Sequence, residues 1–458
     1  MIKMTLMQAA TMMQQPLSLL TPAHQHTEFT GISIDTRTLI PGNLFVAVKG
    51  ERVDGHDFLD HAYQQGAAAA LVEHPVTTTA PIPQLSVSDT TLALGQLSTA
   101  WRQQFQLPLV AVTGSNGKTT LKNMIAAIFT AACHNNSQHV LANKGNLNNQ
   151  WGLPLTLAQL HAQHRYAVLE MGMNHFGEIA YLTKLAQPTV AVISNAAAAH
   201  LEGVGDVAGV ARAKSEIFMG LSSEGVAILN RDDAFFTFWL QEIQQRSYLT
   251  FGFHEDADVR TEWHSNRDAL QPIHVHTPKG SLLVQLPLLG KHNILNALAA
   301  CATAFAVGVD LAAIKAGLEQ TKPAPGRLQL HTLANGVKVI DDTYNANPFS
   351  LQAAVETLTT FAGKKVLVLG DMKELGTHAA SLHLAAGESI RAAGIDYLFT
   401  YGELSEKTAL AFGEGAYHFN EQKKLVEAIK PLLYNQTTIL VKGSRSMKME
   451  KVIAELIA

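Results

Sequence analysis

Short apolar runs alternate with longer segments of helical period through the middle of the chain, from residue 107 to about residue 320. Apolar runs bounded by turn residues are typical of buried parallel strands, and the segments between them are long enough for helices. The runs lie at 109–113, 166–171, 190–194 and 226–229. The alternation predicts a doubly wound central domain built on a parallel sheet.

The pattern changes near the end of this region. Between residues 258 and 289 polar and apolar residues alternate with period two, which predicts an antiparallel excursion of the sheet. The Lys-Pro-Ala-Pro-Gly segment at 322–326 interrupts the helical pattern and predicts a joint between domains. Strands and helices alternate again after it, which predicts a Rossmann-like domain. Its strands are expected at 337–340, 365–369, 397–401 and 438–441.

A smaller α/β unit precedes the central region, with strands predicted at 44–48 and 68–72 and a helix at 57–65. A chain of 458 residues is too long for one ordinary core, and its length favours about three domains. We therefore predict an α/β protein with three domains. These are a small N-terminal α/β domain (1–87), a central P-loop-type doubly wound parallel sheet (88–322) and a C-terminal Rossmann-like domain (323–458).

Composition and charge narrow the class of protein. Hydrophobic residues make up 47% and charged residues 16%, as in ordinary globular proteins. A net charge of -4 provides no global basic field to recruit nucleic acid or an anionic membrane. The longest apolar run, 297–309, is too short to cross a bilayer, and residues 1–20 lack a signal-peptide core. We expect a cytoplasmic protein without membrane insertion, in which Cys133 and Cys301 are buried free thiols.

A glycine-rich turn joins the strand at 109–113 to a predicted helix. The turn and the start of the helix comprise Gly114, Ser115, Asn116, Gly117, Lys118, Thr119 and Thr120. Backbone N–H groups of such a turn can cradle phosphate oxygens. Lys118 would reach the β- and γ-phosphates of ATP, and the Thr119 hydroxyl would bind Mg²⁺. A plain strand-to-helix turn is the alternative, and Gly-Lys-Thr at a strand end favours phosphate binding.

This turn departs from the common P-loop template, because Val112 stands where that template has its first glycine. The shortened Thr-Gly-Ser-Asn-Gly-Lys-Thr form at 113–119 resembles the phosphate loop of the Mur ligase family, which includes the folylpolyglutamate synthetases. The resemblance implies ATP-dependent ligation, in which a carboxylate is activated as an acyl phosphate and joined to an amine.

Polar residues follow two further predicted strands. Glu170 closes the second strand, and His200 lies shortly after the third. Carboxyl ends of parallel strands meet at one edge of a sheet, so these residues should face the phosphate loop. A hard cation with oxygen ligands and one imidazole fits this set. A helix cap or ion-pair partner is the alternative for Glu170, and a structural role is the alternative for His200. Resemblance to the family implies that both bind Mg²⁺.

Lys214 lies in the segment Ala-Arg-Ala-Lys-Ser-Glu-Ile-Phe at 211–218. Read from the residues alone, it is a solvated helix cation, and an ammonium cannot bind a metal because it has no lone pair. The segment is similar to the Ala-Lys-x-Glu-Ile-Phe element of Mur ligases, with Ser215 where Gly is frequent. That similarity implies a carbamylated lysine that binds a second Mg²⁺.

Further segments are similar to nucleotide-binding elements of the family. The string at 290–299 contains Asn293 and Asn296, whose amides would contact adenine, although helix capping is the alternative for Asn293. Arg327 follows the predicted joint and would reach the γ-phosphate. Asp342 ends a strand and would bind the ribose hydroxyls. A surface arginine and an acidic turn are the alternatives.

The string Asp-Asp-Thr-Tyr-Asn-Ala-Asn-Pro at 341–348 resembles one branch of the family, the MurF type, with Thr343 where Ser is frequent. That branch adds D-alanyl-D-alanine to UDP-N-acetylmuramoyl-tripeptide. Elements at 33–37, 49–56 and 145–154 agree with it, so the resemblance spans nearly the whole chain. It implies a uridine site and contacts to the muramoyl peptide and other substrate groups. The substrate-binding residues so implied are Asp35, Thr36, Arg37, Asn146, Asn148, Asn149, Tyr344, Asn345 and Asn347.

The resemblance implies catalytic roles for Lys118, Lys214, His200 and Arg327. The expected cofactors are ATP and two Mg²⁺ ions, and the resemblance to the family also implies a monomer. Strand-end segments at 369–376 and 442–446 would bind the incoming dipeptide. Two other functions stay open at this stage: a different amide ligase of the family, such as a folylpolyglutamate synthetase, and a nucleotide-binding switch without ligation.

Overall fold

A computed structural model describes residues 1–17, 20–79, 81–262 and 272–457. The described residues form four sheets. In the first region a two-stranded antiparallel sheet and a four-stranded parallel sheet pack with helices. Its strands are β1 (Lys3–Thr5), β2 (Glu28–Thr30), β3 (Ile32–Ser33), β4 (Leu44–Val46), β5 (Ala69–Val72) and β6 (Gln84–Ser86), and its helices are α1 (Leu6–Met12), α2 (Leu59–Gln64) and α3 (Thr90–Arg102).

The central region is a nine-stranded sheet with helices on both faces. Its strands are β7 (Leu109–Thr113), β8 (Val140–Ala142), β9 (Tyr166–Glu170), β10 (Val190–Ile193), β11 (Val226–Asn230), β12 (Ser247–Gly252), β13 (Val259–Arg260), β14 (Ile273–Thr277) and β15 (Gly280–Val284). Its helices are α4 (Lys118–Ala132), α5 (Gly152–Leu157), α6 (Glu178–Ala186), α7 (Leu201–Val204), α8 (Val207–Ser215), α9 (Phe236–Glu242), α10 (Lys291–Ala306) and α11 (Leu311–Glu319).

The strand order of this sheet is β15-β14-β13-β12-β11-β10-β7-β9-β8. All neighbours from β13 to β8 are parallel, and β14 and β15 pair antiparallel, as the change of period predicts. Alternate residues of β7 supply the two cores: Val110 and Val112 pack on one face, and Leu109 and Ala111 on the other. Part of the predicted excursion, residues 263–271, lies outside the described residues.

The third region is a six-stranded sheet in the order β16-β17-β21-β18-β19-β20, with β16 antiparallel and the other neighbours parallel. Its strands are β16 (Gln329–Thr332), β17 (Lys338–Asp342), β18 (Lys364–Gly370), β19 (Tyr397–Tyr401), β20 (Ala416–Phe419) and β21 (Thr437–Lys442). Its helices are α12 (Pro348–Thr359), α13 (Ala379–Ala392), α14 (Ser405–Phe412), α15 (Gln422–Ile429) and α16 (Glu450–Ile457).

The predicted α/β class and three-domain architecture are confirmed, and most strand bounds differ from the prediction by one or two residues. The helix predicted at 57–65 is instead a 3₁₀ turn, Gly55–Phe58, followed by α2. Asp54 caps that turn by accepting from the His56 N–H. The domain limits after residues 87 and 322 stay predictions. Both cysteines are buried and free, and no described helix is apolar over a length that would cross a membrane.

Candidate active site

A cleft of about 910 Å³ lies between the central and third sheets. The phosphate loop, the end of β9 and the start of α10 line it from the central region, and Lys373 and Lys442 line it from the third. Glu51 reaches it from the first region. Ligands of open α/β sheets bind at the carboxyl ends of the strands, so the cleft is in the place expected for a substrate site.

The phosphate loop requires its two glycines because other chain segments approach it closely. Gly117 has φ +82°, and a Cβ there would lie 2.6 Å from Asn296 Oδ1. A Cβ on Gly114 would lie 1.9 Å from Ser194 Oγ. α4 begins directly after Gly117, which places the unpaired N–H groups of its first turn beside the cleft. The loop therefore has the form of an anion site.

The segment after β10 holds this loop in position. Ser115 N–H donates to Asn195 O at 3.0 Å, and Asn116 N–H donates to Asn195 Oδ1 at 3.0 Å. Ser115 Oγ donates to Ala197 O and accepts from Ala197 N–H, at 3.1 and 2.9 Å. Ser194 Oγ donates to Asn116 O at 2.7 Å. The loop conformation is thus fixed by protein contacts, which lowers the cost of ordering it around a ligand.

Lys118 folds back over its own loop. Its Nζ donates to Gly114 O at 2.7 Å and to Ser115 O at 3.3 Å. Burial lowers the pKa of Lys118, whereas the nearby Glu170 carboxylate acts in the opposite direction. An amine in this position can contact phosphoryl oxygens bound at the start of α4.

Glu170 is a buried carboxylate that forms no ion pair with the described residues. Its side chain is fixed by two neutral donors: Thr119 Oγ1 to Oε2 at 2.8 Å and Asn148 Nδ2 to Oε1 at 2.8 Å. The residue is 3% exposed, and no described Lys, Arg or His forms an ion pair with it. Lys118 and Lys122 act on this charge only through space, so a cation bound directly beside Glu170 would stabilise the site further.

His200 is partly buried and lines the same cleft. It has φ +56° directly before α7. Burial, with smaller contributions from Lys118 and Lys214, lowers the pKa of His200 to about 4. The imidazole is therefore neutral at pH 7, which is the form that binds a metal.

Lys214 is 1% exposed on α8, so the alternative reading as a solvated cation is wrong. Its Nζ makes no hydrogen bond or ion pair that the described residues provide. Burial, reinforced by Lys118, lowers the pKa of Lys214 well below its usual range. A buried, unpaired amine of this kind is a candidate functional group.

No three His, Cys, Asp or Glu side chains in the described part of the chain are grouped to hold a metal. Among the groups on the cleft wall that could bind a metal, Glu170, His200 and the Thr119 hydroxyl are those that the sequence predicts. Such a set leaves coordination positions for other ligands, as in sites where Mg²⁺ is held mainly by water and phosphate.

Arg327 connects the third region to the phosphate loop. Its Nη2 donates to Thr119 Oγ1 at 3.3 Å, and its guanidinium lies 4.2 Å from the centroid of the Tyr344 ring. Thr119 Oγ1 thus accepts from Arg327 and donates to Glu170. The arginine, loop and carboxylate predicted from sequence are therefore contiguous.

Asp342 is already paired. Lys442 Nζ lies 2.5 Å from its Oδ2, and Leu328 N–H donates to its Oδ1 at 3.2 Å. Burial raises the pKa of Asp342, and Lys442 opposes that shift. Asp342 lines the cleft, but a ribose hydroxyl would meet a carboxylate engaged with a buried lysine.

Asn293 and Asn296 lie buried in the first turns of α10 and line the cleft. Asn293 Nδ2 donates to Leu289 O at 2.7 Å, and Asn296 Nδ2 donates to Asn293 Oδ1 at 3.1 Å. Asn293 therefore fixes the start of α10, and Asn296 stands next to Gly117 of the phosphate loop.

The remaining predicted substrate residues fall into two groups. On the cleft wall are Asn146, Asn148, Asn149, Tyr344, Asn345 and Asn347. The turn Asp35–Thr36–Arg37 is not among the residues that line the cleft. There Arg37 Nη2 pairs with Asp35 Oδ2 at 2.7 Å, and Thr36 Oγ1 contacts His61 Nδ1 at 3.0 Å. The structure does not bring this turn to the central site.

Several contacting residues were not predicted. Asn143 holds the backbone of Glu170 by two hydrogen bonds, and Lys122 Nζ donates to Asn143 O at 2.7 Å. Lys122 lies one helical turn after Lys118, so its position on the α4 face was a usable signal. Ser194 ends a predicted strand and Asn195 follows it, and that placement alone would have identified them. Asn143 has no comparable signal.

Comparison with known proteins matches three family models to the chain. They are the Mur ligase family catalytic domain at residues 28–102, the Mur ligase middle domain at 112–304 and the Mur ligase glutamate ligase domain at 326–445. The UDP-N-acetylmuramoyl-tripeptide--D-alanyl-D-alanine ligase of Escherichia coli is 46% identical over 93% of both chains. A MurF crystal structure from Acinetobacter baumannii is 37% identical and covers 100% of this chain and 99% of its own, with a TM-score of 0.90. A Thermotoga maritima MurF structure in complex with ADP is 28% identical and covers 93% and 96%, with a TM-score of 0.81.

Proposed function

The chain belongs to the Mur ligase family, and we propose that it is the ATP-dependent ligase that adds D-alanyl-D-alanine to UDP-N-acetylmuramoyl-tripeptide in peptidoglycan precursor synthesis. The observation that carries this proposal is the full-length similarity to a ligase of that name, 46% identity over 93% of both chains. The cleft supports it, because the phosphate loop, Glu170 and Arg327 meet there through Thr119 Oγ1.

ATP would bind with its phosphates at the start of α4. The ADP complex of the Thermotoga maritima relative supports nucleotide use, and the first-turn N–H groups and Lys118 supply the matching donors. Adenine would lie near Asn293 and Asn296. Both side-chain amides already form hydrogen bonds within the protein. We therefore expect adenine to form hydrogen bonds with the Asn296 side-chain oxygen and with the backbone of α10.

The residues present fit a magnesium ion. Glu170 is a buried carboxylate without a directly bonded cation among the described residues, the Thr119 hydroxyl donates to it, and His200 is neutral. These three would hold the ion together with nucleotide phosphate. Bound there, Mg²⁺ would neutralise negative charge on the phosphates.

Lys214 fits the proposed carbamate. The deprotonated amine is the form that attacks CO₂, and each carbamate formed consumes one amine and one CO₂ and releases one proton. Burial favours that form, because it lowers the pKa of Lys214 well below its usual range. The carbamate would supply oxygen ligands for a second Mg²⁺.

The ligation then proceeds in two transfers. The terminal carboxylate of the tripeptide attacks the γ-phosphorus, and ADP leaves with the electron pair of the broken P–O bond. Lys118 and Arg327 are placed to donate to the phosphoryl oxygens as charge shifts between them. The amine of the dipeptide attacks the carbonyl of the acyl phosphate, and phosphate departs as the amide forms and the amine loses a proton. No covalent enzyme intermediate is required.

The other substrate sites follow from the placement of the regions. The dipeptide would bind at the cleft ends of β18 and β21, where Lys373 and Lys442 line the cleft. UDP would lie in the first region near Asp35–Thr36–Arg37, away from the phosphate loop. The protein would act in the cytoplasm as a monomer.

The proposed function is tested by measuring phosphate release from ATP. We expect turnover only when UDP-N-acetylmuramoyl-tripeptide and D-alanyl-D-alanine are both present, with one phosphate released per amide formed. Glutamate and a folate acceptor serve as the alternative substrate pair. Turnover with that pair would identify a folate-type ligase, and hydrolysis independent of every acceptor would identify a nucleotide switch.

A further inference from the structure

Asn347 contacts the phosphate loop across the cleft. It is the N-cap of α12, and its Oδ1 accepts from Ser350 N–H at 2.8 Å. Its Nδ2 donates to Asn116 Oδ1 at 3.1 Å. An amide oxygen can only accept and an amide nitrogen can only donate, so the cap on α12 determines which end of Asn347 faces Asn116.

This contact in turn determines the orientation of the Asn116 amide. Because Asn116 Oδ1 accepts from Asn347, its Nδ2 must point elsewhere, and that nitrogen is buried with no hydrogen-bond partner in the described parts of the chain. The Asn116 backbone is held on both sides by Ser194 and Asn195, so the residue cannot move away. A buried donor without an acceptor is unfavourable until an acceptor arrives.

We infer that Asn347 is a positioning residue. From the start of α12 it orients the Asn116 amide, so that Asn116 Nδ2 can donate to the phosphate oxygens of bound nucleotide. The inference rests on the nucleotide binding of the proposed function. Asn347 acts through Asn116 and needs no contact with substrate, which differs from the substrate-binding role that the resemblance implies for it. The third sheet and the nucleotide phosphates are thereby coupled through one pair of amides.

The substitution Asn347→Asp tests this coupling with little change in shape. Aspartate keeps the oxygen that caps α12, but it replaces the donor with a second oxygen. Asn116 can then keep a hydrogen bond only by rotating its amide through half a turn, which presents Oδ1 to the phosphates. We expect the affinity of the full-length protein for ADP, measured by isothermal titration, to fall roughly 10- to 100-fold. The affinity for AMP, which lacks the β-phosphate, should change little, and so should the KM for the dipeptide.

The added charge of aspartate would also weaken ADP binding by simple repulsion, and a double-mutant cycle separates the two causes. In an Asn116→Ala background, Asn347→Asp should cost little further affinity if it acts through the Asn116 amide, whereas repulsion would persist. Asn347→Ser keeps a capping oxygen, is neutral and is too short to donate to Asn116, so it should lose several-fold in ADP affinity. Asn435→Asp is the matched control, since its side-chain oxygen accepts from the adjacent Gln436 N–H on an exposed turn.

Unchanged ADP affinity in Asn347→Ser, or fully additive losses in the cycle, would overturn the inference. A rise in the dipeptide KM with normal ADP affinity would also overturn it and restore the substrate-contact role. These titrations contain no acceptor substrate. A wild-type protein that binds ADP but fails to ligate would therefore refute the proposed function and leave the coupling measurable.

Discussion

The strand ends of the central and third sheets face the same cleft, but their charged side chains differ in whether they form ion pairs. On the central side Glu170 is held by neutral donors, and Lys214 is buried without a partner among the described residues. On the third side the charges are matched: Lys442 pairs with Asp342 at 2.5 Å, and Lys373 pairs with Asp371 at 2.8 Å. Asp371 also accepts from the Leu404 and Ser405 N–H groups.

This difference distinguishes groups that are available to bind a ligand from groups that stabilise the fold through ion pairs. A buried ionisable group that lacks an ion-pair partner destabilises the fold, and a bound ion or substrate can supply the missing partner. In a buried ion pair each charge stabilises the other, and removing one partner leaves the other charge buried without an opposite charge, which is destabilising. Substitutions on the central side should therefore reduce activity more than stability, and substitutions in the third-side pairs should do the reverse.

The largest expected effect is at Lys214. Lys214→Ala should lower turnover by about 10³-fold or more, because no carbamate oxygens remain to hold a second metal ion. Stability to urea should change little or rise, since a buried amine is removed. Turnover is measured by phosphate release with saturating substrates.

Acetate or formate should restore part of the Lys214→Ala activity by occupying the emptied space, while chloride at equal ionic strength should not. Lys184→Ala, an exposed lysine on α6, is the control and should behave as wild type. Wild-type turnover in Lys214→Ala would end the proposal of a carbamate. An inactive variant that no carboxylate rescues would leave a role for the lysine itself.

Lys442→Ala breaks a matched pair on the other side of the cleft. The remaining Asp342 carboxylate is largely shielded, with 13% of its side chain exposed, so the free energy of unfolding should fall by roughly 3–5 kcal/mol. Urea denaturation followed by circular dichroism measures this change. Lys364→Ala removes an exposed partner of Asp396, and solvent screening should make its stability loss much smaller than that of Lys442→Ala. Equal stability losses for both variants would contradict a structural role for the shielded Lys442–Asp342 pair.

Lys118→Ala tests the central side again with a smaller expected effect than Lys214. The substitution removes a preorganised positive charge from the transferring phosphoryl group, and turnover should fall about 10²–10³-fold with the fold intact. Lys407→Ala, an exposed lysine on α14, is the control. A Lys118 variant with near-normal turnover would remove the phosphate loop from the mechanism.

Sequence patterns predicted the central strands well because a strand buried on both faces is a continuous apolar run, as in β7 and β9. They also placed Glu170 and His200 on one cleft, since the carboxyl ends of parallel strands converge. Burial of Lys214 could not be predicted, because one lysine on a short amphipathic helix reads as solvated. The partners of Asp342 and Asn116 could not be predicted either, because both pairs join residues about one hundred or more positions apart.

The smallest expected effect is at Asn293, which combines a structural role with a proposed role in ligand binding. Its Nδ2 holds Leu289 O, so Asn293→Ala should lower the melting temperature modestly by leaving that buried carbonyl without its donor. If Asn293 also supports adenine binding, the KM for ATP should rise roughly 5- to 10-fold while kcat stays near normal, because adenine contacts are equal in the ground and transition states. Steady-state kinetics with varied ATP, together with thermal melts, measure both changes. Asn335→Ala in an exposed turn is the control for the loss of an asparagine. A lower melting temperature with an unchanged KM would assign Asn293 to the fold alone, and the adenine contact would then fall to other residues at the start of α10.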